Sequence, residues 1–167
     1  MPERRVKTYR IIKRDLANEA FSGVGAEKYG GRFNSPGLRA VYVSESIPLA
    51  MLELLAHAGR HDRLLGFVLF WVDIPDECIE DSIETGLPES WNFLPVGLAS
   101  QSFGDRWIEE ARSAALKVPS ILVPLESNLI LNPVHDDFFK ISFSEPEPID
   151  FDPRLTRSRD SNCRESG

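Results

Sequence analysis

Glu53 is a carboxylate set in a run, residues 47–58, where nearly every other side chain is apolar. At helical spacing its neighbours are Leu49, Ala50, Ala56 and His57, so the helix offers almost no polar stripe for it to occupy. A partly buried carboxylate is costly unless a cation, a hydroxyl or a ligand meets it. Arg32 follows Gly30 and Gly31, where bare backbone lets a ligand approach closely. Tyr42 comes ten residues later, and Arg10, Ser120 and Asn128 complete the set of polar candidates. A guanidinium offers forked donors to an anion, and a shielded carboxylate favours positive charge forming beside it. Each residue also has a plainer reading: Glu53 as an exposed helix edge, Arg10 as a strand-edge charge, Tyr42 as a packed aromatic with its hydroxyl satisfied, Ser120 and Asn128 as turn and strand-end residues.

The elements that must hold these residues read as mixed α and β. Ser46 is placed to cap a helix over residues 47–58, and Pro48 suits its first turn. Residues 6–12 alternate as a strand carrying Arg10, and residues 39–44 form another, with Ala40, Tyr42 and Ser44 on one face and Val41 and Val43 on the other. Residues 18–37 are glycine-rich and read as a long functional loop. The most apolar segment, residues 64–74, is expected to be a central strand closed by Pro75. A short strand is expected around residues 78–83, an amphipathic helix over 105–116, strands over 120–125 and 128–131, and a last pair at 138–143 and 149–151. Residues 1–155 are expected to form one domain, and the polar tail 156–167 to be disordered or ordered only by a partner.

Composition narrows the functions available. A chain of 167 residues with 42% hydrophobic content can bury a substantial core, and its net charge of −7 argues against direct nucleic-acid binding. No apolar run is long enough to span a membrane, and the charged amino terminus does not resemble a secretory signal. Two cysteines, Cys78 and Cys163, make neither a disulfide framework nor a metal cluster, so a reduced, cytoplasmic setting is expected. Gly23-Val-Gly25 lacks the third glycine of a dinucleotide fingerprint and is expected to lead to a strand. His57 and His61 stand four apart but lack the glutamate of a zinc helix. Ser120 lacks the glycines of a nucleophile elbow.

Taken together, several strings resemble one known family. Gly-Gly-Arg-Phe-Asn at 30–34, Val-Tyr-Val-Ser at 41–44, Leu-Ala-Met-Leu-Glu at 49–53, Val-Pro-Ser at 118–120 and Asn-Leu-Ile-Leu-Asn-Pro at 128–133 are similar to the RES domain, as are Gly-Asp-Arg-Trp at 104–107 and Phe-Asp-Pro-Arg at 151–154. The likeness runs through residues 6–155; the family usually has tryptophan where this chain has Phe33. It implies an ADP-ribosyltransferase-like α+β fold, with a split, mostly antiparallel β core flanked by helices. It also implies a toxin that destroys NAD by hydrolysis or phosphorolysis of the nicotinamide–ribose bond. NAD is then a substrate, inorganic phosphate a candidate co-substrate, and no prosthetic group is expected. By the same likeness Arg32, Glu53 and Ser120 form the catalytic core, and Arg10, Tyr42 and Asn128 join them in contacting NAD. The partner implied is an Xre-type helix-turn-helix antitoxin, which alone would contact DNA, and a homodimer within a larger toxin–antitoxin complex is compatible with it. Protein ADP-ribosylation and a non-catalytic binding role are the alternatives.

Overall fold

Alternation along Arg5–Lys13 (β1) sends Thr8, Arg10 and Ile12 to one face and Tyr9 and Ile11 to the other. The computed structural model describes residues 2–59 and 64–156. β1 pairs along its whole length with the apolar strand Phe67–Pro75 (β3), from Arg5 opposite Pro75 to Lys13 opposite Phe67. Towards Val41–Ser44 (β2) the ladder has a single pair, Tyr9 with Ser44. On its other side β2 is fully paired with Ser127–Leu131 (β6), which pairs with Ala115–Pro119 (β5). Ile79–Asp81 (β4) adds parallel to β5, and Ser142–Phe143 (β7) and Glu147–Ile149 (β8) both add to β3. The described strands therefore form two halves, β4-β5-β6-β2 and β1-β3 with β7 and β8, joined by one rung.

One helix covers each half. The helix Ile47–His57 (α2) lays Ala50, Leu54 and Leu55 against Tyr9, Ile11 and Leu69. The helix Leu98–Glu109 (α3) packs Phe103, Trp107 and Ile108 on Leu116, Val118 and Ile130. Trp107 is fully buried and gives its indole proton to Ser113 Oγ at 2.8 Å, which satisfies the one polar atom it carries inward. The opposite face of the sheet is closed by Val41, Val43, Val72, Ile74 and Leu131. Each such side chain taken out of water contributes about 1.5–3 kcal/mol before entropy is counted.

Several expected elements are displaced. The helix expected at 105–116 lies at Leu98–Glu109, because Ala111 takes a positive φ of 47° and the next apolar residues, Ala115 and Leu116, are buried in β5. Residues 120–125 are accordingly a loop between β5 and β6. The glycine-rich stretch is not all loop: Gly23, at φ 75°, precedes the six-residue helix Val24–Tyr29 (α1), so Gly23-Val-Gly25 leads to a helix before the strand. The first half of residues 138–143 belongs to a 3-10 turn, Asp136–Lys140, with only Ser142–Phe143 in a strand, and β8 ends at Ile149 rather than beginning there. His61, Cys163 and the tail from residue 157 lie outside the described residues.

Candidate active site

The start of α2 is fixed before Glu53 is reached. Ser46 Oγ accepts from the Leu49 amide at 3.2 Å and donates to Glu126 Oε2 at 2.7 Å, so the cap also ties the helix to the β5–β6 loop. Two turns on, Glu53 is half-buried and its Oε1 receives two hydrogen bonds, from Ser120 Oγ at 3.1 Å and from Asn128 Nδ2 at 2.6 Å. Among the described residues no bond is made to Oε2. The carboxylate is thus held by one oxygen while the other is uncommitted.

Both donors are themselves fixed. Ser120 is fully buried, and the loop folds around its hydroxyl: Oγ accepts from the Leu122 and Val123 amides, each at 3.1 Å, leaving its one proton for Glu53. Asn128, the second residue of β6, lies opposite Ser44 of β2, whose Oγ donates to Asn128 Oδ1 at 2.7 Å.

Arg32 sits in the loop between α1 and β2. Its Nη1 donates to the carbonyls of Trp91 and Phe93, both at 3.0 Å, and among the described residues Nε and Nη2 make no bond. Burial pulls its pKa below the ordinary arginine value, while the charge of Glu53 and then the Tyr42 hydroxyl act in the opposite direction. The two charges expected to face each other therefore interact through space, without a direct ion pair among the described residues.

The loop that carries Arg32 is held from two sides. From β2, the Tyr42 hydroxyl donates to Asn34 Oδ1 at 2.7 Å and accepts from the Phe33 amide at 3.1 Å. A side chain on Gly31 would collide with that hydroxyl, which is why glycine stands there. From α3, Asp105 accepts from the Ser35 amide at 2.8 Å and the Ser35 hydroxyl at 2.6 Å, and Gln101 Nε2 donates to Gly31 O at 3.0 Å. Asn34 is fully buried, its Nδ2 facing the Ala26 carbonyl at 2.9 Å and the Leu38 carbonyl at 3.1 Å. Burial raises the Tyr42 pKa, so the phenol stays neutral, and its single proton is already given to Asn34. Tyr42→Phe leaves the Asn34 carbonyl and the Phe33 amide without that partner and is expected to cost about 1–2 kcal/mol. A lower urea midpoint at constant m-value checks it.

Arg10 lies elsewhere. Alternation puts it on the opposite face from Tyr9, and its Nη1 crosses the gap beside the single β1–β2 rung to donate to the Tyr42 carbonyl at 2.8 Å. Among the described residues its Nε is buried without a partner, and burial pushes its pKa down to about 10. The structure therefore gathers Glu53, Ser120 and Asn128 in direct contact, brings Arg32 within electrostatic range of Glu53, turns the Tyr42 hydroxyl to the loop and sets Arg10 in the seam. Reading residues singly missed Ser44, Asn34 and Asp105. Ser44 shares the Tyr42 face of its strand, and the other two stand inside the motifs Gly-Gly-Arg-Phe-Asn and Gly-Asp-Arg-Trp. Two cavities, of about 230 Å³ beside Lys117 and Pro124 and about 370 Å³ beside Leu16 and Leu54, are lined by neither Glu53 nor Arg32.

Comparison with known proteins bears on family and fold. The chain is 39% identical over 153 residues to a protein named Toxin Res from Photorhabdus laumondii, covering 90% of this chain and 97% of that one. It is 40% identical over 148 residues to Toxin Res of Yersinia enterocolitica, covering 88% and 97%. A Sphingobium protein named Prs ADP-ribosylating toxin is 38% identical over 139 residues, covering 81% and 86%. Among solved structures, a chain of the M. tuberculosis MbcT–MbcA toxin–antitoxin complex superposes with a TM-score of 0.70 over 92% of this chain and 88% of its own, at 20% identity. The fold is accordingly the ADP-ribosyltransferase-like α+β type. Residues 7–152 match the RES domain, and with relatives at this level of identity along nearly the whole chain, the protein belongs to the RES domain family.

Proposed function

We propose that the chain is the toxin of a toxin–antitoxin pair and acts by cleaving the nicotinamide–ribose bond of NAD. One observation carries the reading: the Glu53 carboxylate is fixed through Oε1 by Ser120 and Asn128 while Oε2 has no described partner. Nicotinamide leaves neutral with the electrons of the C–N bond, so the ribose carbon becomes oxocarbenium-like. A carboxylate already oriented towards that carbon stabilises the new charge without having to reorganise. Water then adds and loses a proton to give ADP-ribose, or phosphate adds to give the 1-phosphate, with Glu53 as the base in the first case. The unbonded Nε and Nη2 of Arg32 suit the pyrophosphate. NAD is a substrate, and nothing in this chemistry needs a prosthetic group.

Arg32→Ala is expected to raise KM for NAD about 10–100-fold, the loss of hydrogen bonds to a charged group, with a smaller change in kcat. Equal KM in the variant would count against a phosphate-gripping role. The deciding experiment incubates purified protein with labelled NAD, with and without inorganic phosphate. Free ADP-ribose or its 1-phosphate supports degradation, and intact NAD overturns the reading.

The name of the Sphingobium relative favours a second acceptor, a protein side chain. Label recovered on protein after adding lysate supports that acceptor over water or phosphate. The partner proposed is an antitoxin, since the solved neighbour is part of a toxin–antitoxin complex, and its Xre type rests on the family likeness alone.

A further inference from the structure

We propose that Ser44 is a positioning residue that sets the orientation of the Asn128 amide and, through it, of Glu53. An ionised carboxylate can only accept, so the 2.6 Å contact with Glu53 Oε1 requires Asn128 to present its NH₂. The amide oxygen then points the other way, and only a donor satisfies it there. Ser44, 5% exposed and the cross-strand partner of Asn128, supplies that donor at 2.7 Å. The hydroxyl has one proton and gives it to this oxygen. Without it, the half-buried Asn128 Oδ1 faces an apolar β-carbon, and the amide gains by rotating until its oxygen finds another donor. Rotation would set oxygen against oxygen at Glu53, and the carboxylate would keep only its bond from Ser120. Asn128 thereby acts by holding Glu53, beside the contact with NAD that the family likeness implies. Ser44 is also the residue through which β2 meets β1, so the orienting hydroxyl stands where the two halves join.

The inference rests on the proposed role of Glu53, and its test includes a readout independent of turnover. Wild type, Ser44→Ala, Asn128→Ala and the double variant are compared for NAD cleavage, and the side-chain amide of Asn128 is followed by ¹H–¹⁵N NMR in wild type and Ser44→Ala. Ser44→Ala is expected to lower kcat about tenfold with little change in KM, and to cost nothing further in the Asn128→Ala background. The downfield Asn128 amide proton expected from a short bond to a carboxylate should be lost in Ser44→Ala. Losses that multiply in the double variant, or an Asn128 resonance that stays in place, overturn the proposal. If wild-type protein leaves NAD intact, the functional reading fails, and the amide resonance alone decides for or against the orienting role of Ser44.

Discussion

Glu53→Gln is expected to lower the rate of NAD cleavage about 10²–10³-fold, the usual cost of removing one preorganised electrostatic contact at a reacting centre. The substitution keeps the shape of the side chain. An amide oxygen in place of Oε1 still accepts from Ser120 and Asn128, so those bonds and the helix around them survive. What disappears is the negative charge that an oxocarbenium-like ribose needs. KM should move far less than kcat, because the charge matters most once the bond is breaking. Circular dichroism and a urea midpoint close to wild type establish that the variant folds. Full turnover in such a variant would remove Glu53 from the chemistry.

Gly104→Ala is expected to destabilise the protein by about 3 kcal/mol, the upper end for forcing extra volume into packed structure. Helix propensity alone gives the opposite sign, since alanine inside a helix is favoured over glycine by about 1 kcal/mol. Packing decides the outcome. A β-carbon at Gly104 would land on the backbone carbonyl of Phe33, and a backbone group cannot swing aside as the tip of a flexible side chain can. Either α3 lifts away from Leu116 and Ile130 or the Arg32 loop moves. The second course also strains the Asp105–Ser35 and Gln101–Gly31 contacts. A lower urea midpoint together with a raised KM for NAD is the expected pair of results. A variant as stable and as active as wild type would show that the helix and the loop do not meet so closely.

The Glu53 helix was legible because its signals are local. A serine cap, a proline in the first turn and an unbroken apolar run fix its start, and one charge among apolar neighbours announces a partner. The RES motifs carried the fold class, and α+β with a split, mostly antiparallel sheet is what the chain adopts. Helix α3 was misplaced for a physical reason. Its first seven residues, with Ser100, Ser102 and Gly104, have weak helix propensity and are held by packing, while the periodicity seen at 105–116 runs past the true end into a buried strand. The partners of Glu53 come from 67 and 75 residues away, and Ser44 stands 84 residues before Asn128, its partner on the β2–β6 ladder. Such pairings depend on strand order, which no local pattern encodes. Arg10 was visible as a charge on a strand, but its place in the seam follows from a register that breaks off after one pair.

That lone rung has a mechanical corollary. Glu53 rides on a helix seated against β1 and β3, while Ser120 and Asn128 belong to the far half of the sheet, so the carboxylate's bonds bridge two slabs instead of lying within one. Hydroxyl-to-oxygen bonds span about 2.5–3.0 Å, and the one from Ser120 already stands at 3.1 Å. A slip of a fraction of an ångström between the slabs would therefore disengage the acid from its holders while leaving each hydrophobic layer intact. The Glu53 carboxylate thus doubles as a gauge of how squarely the two slabs are aligned.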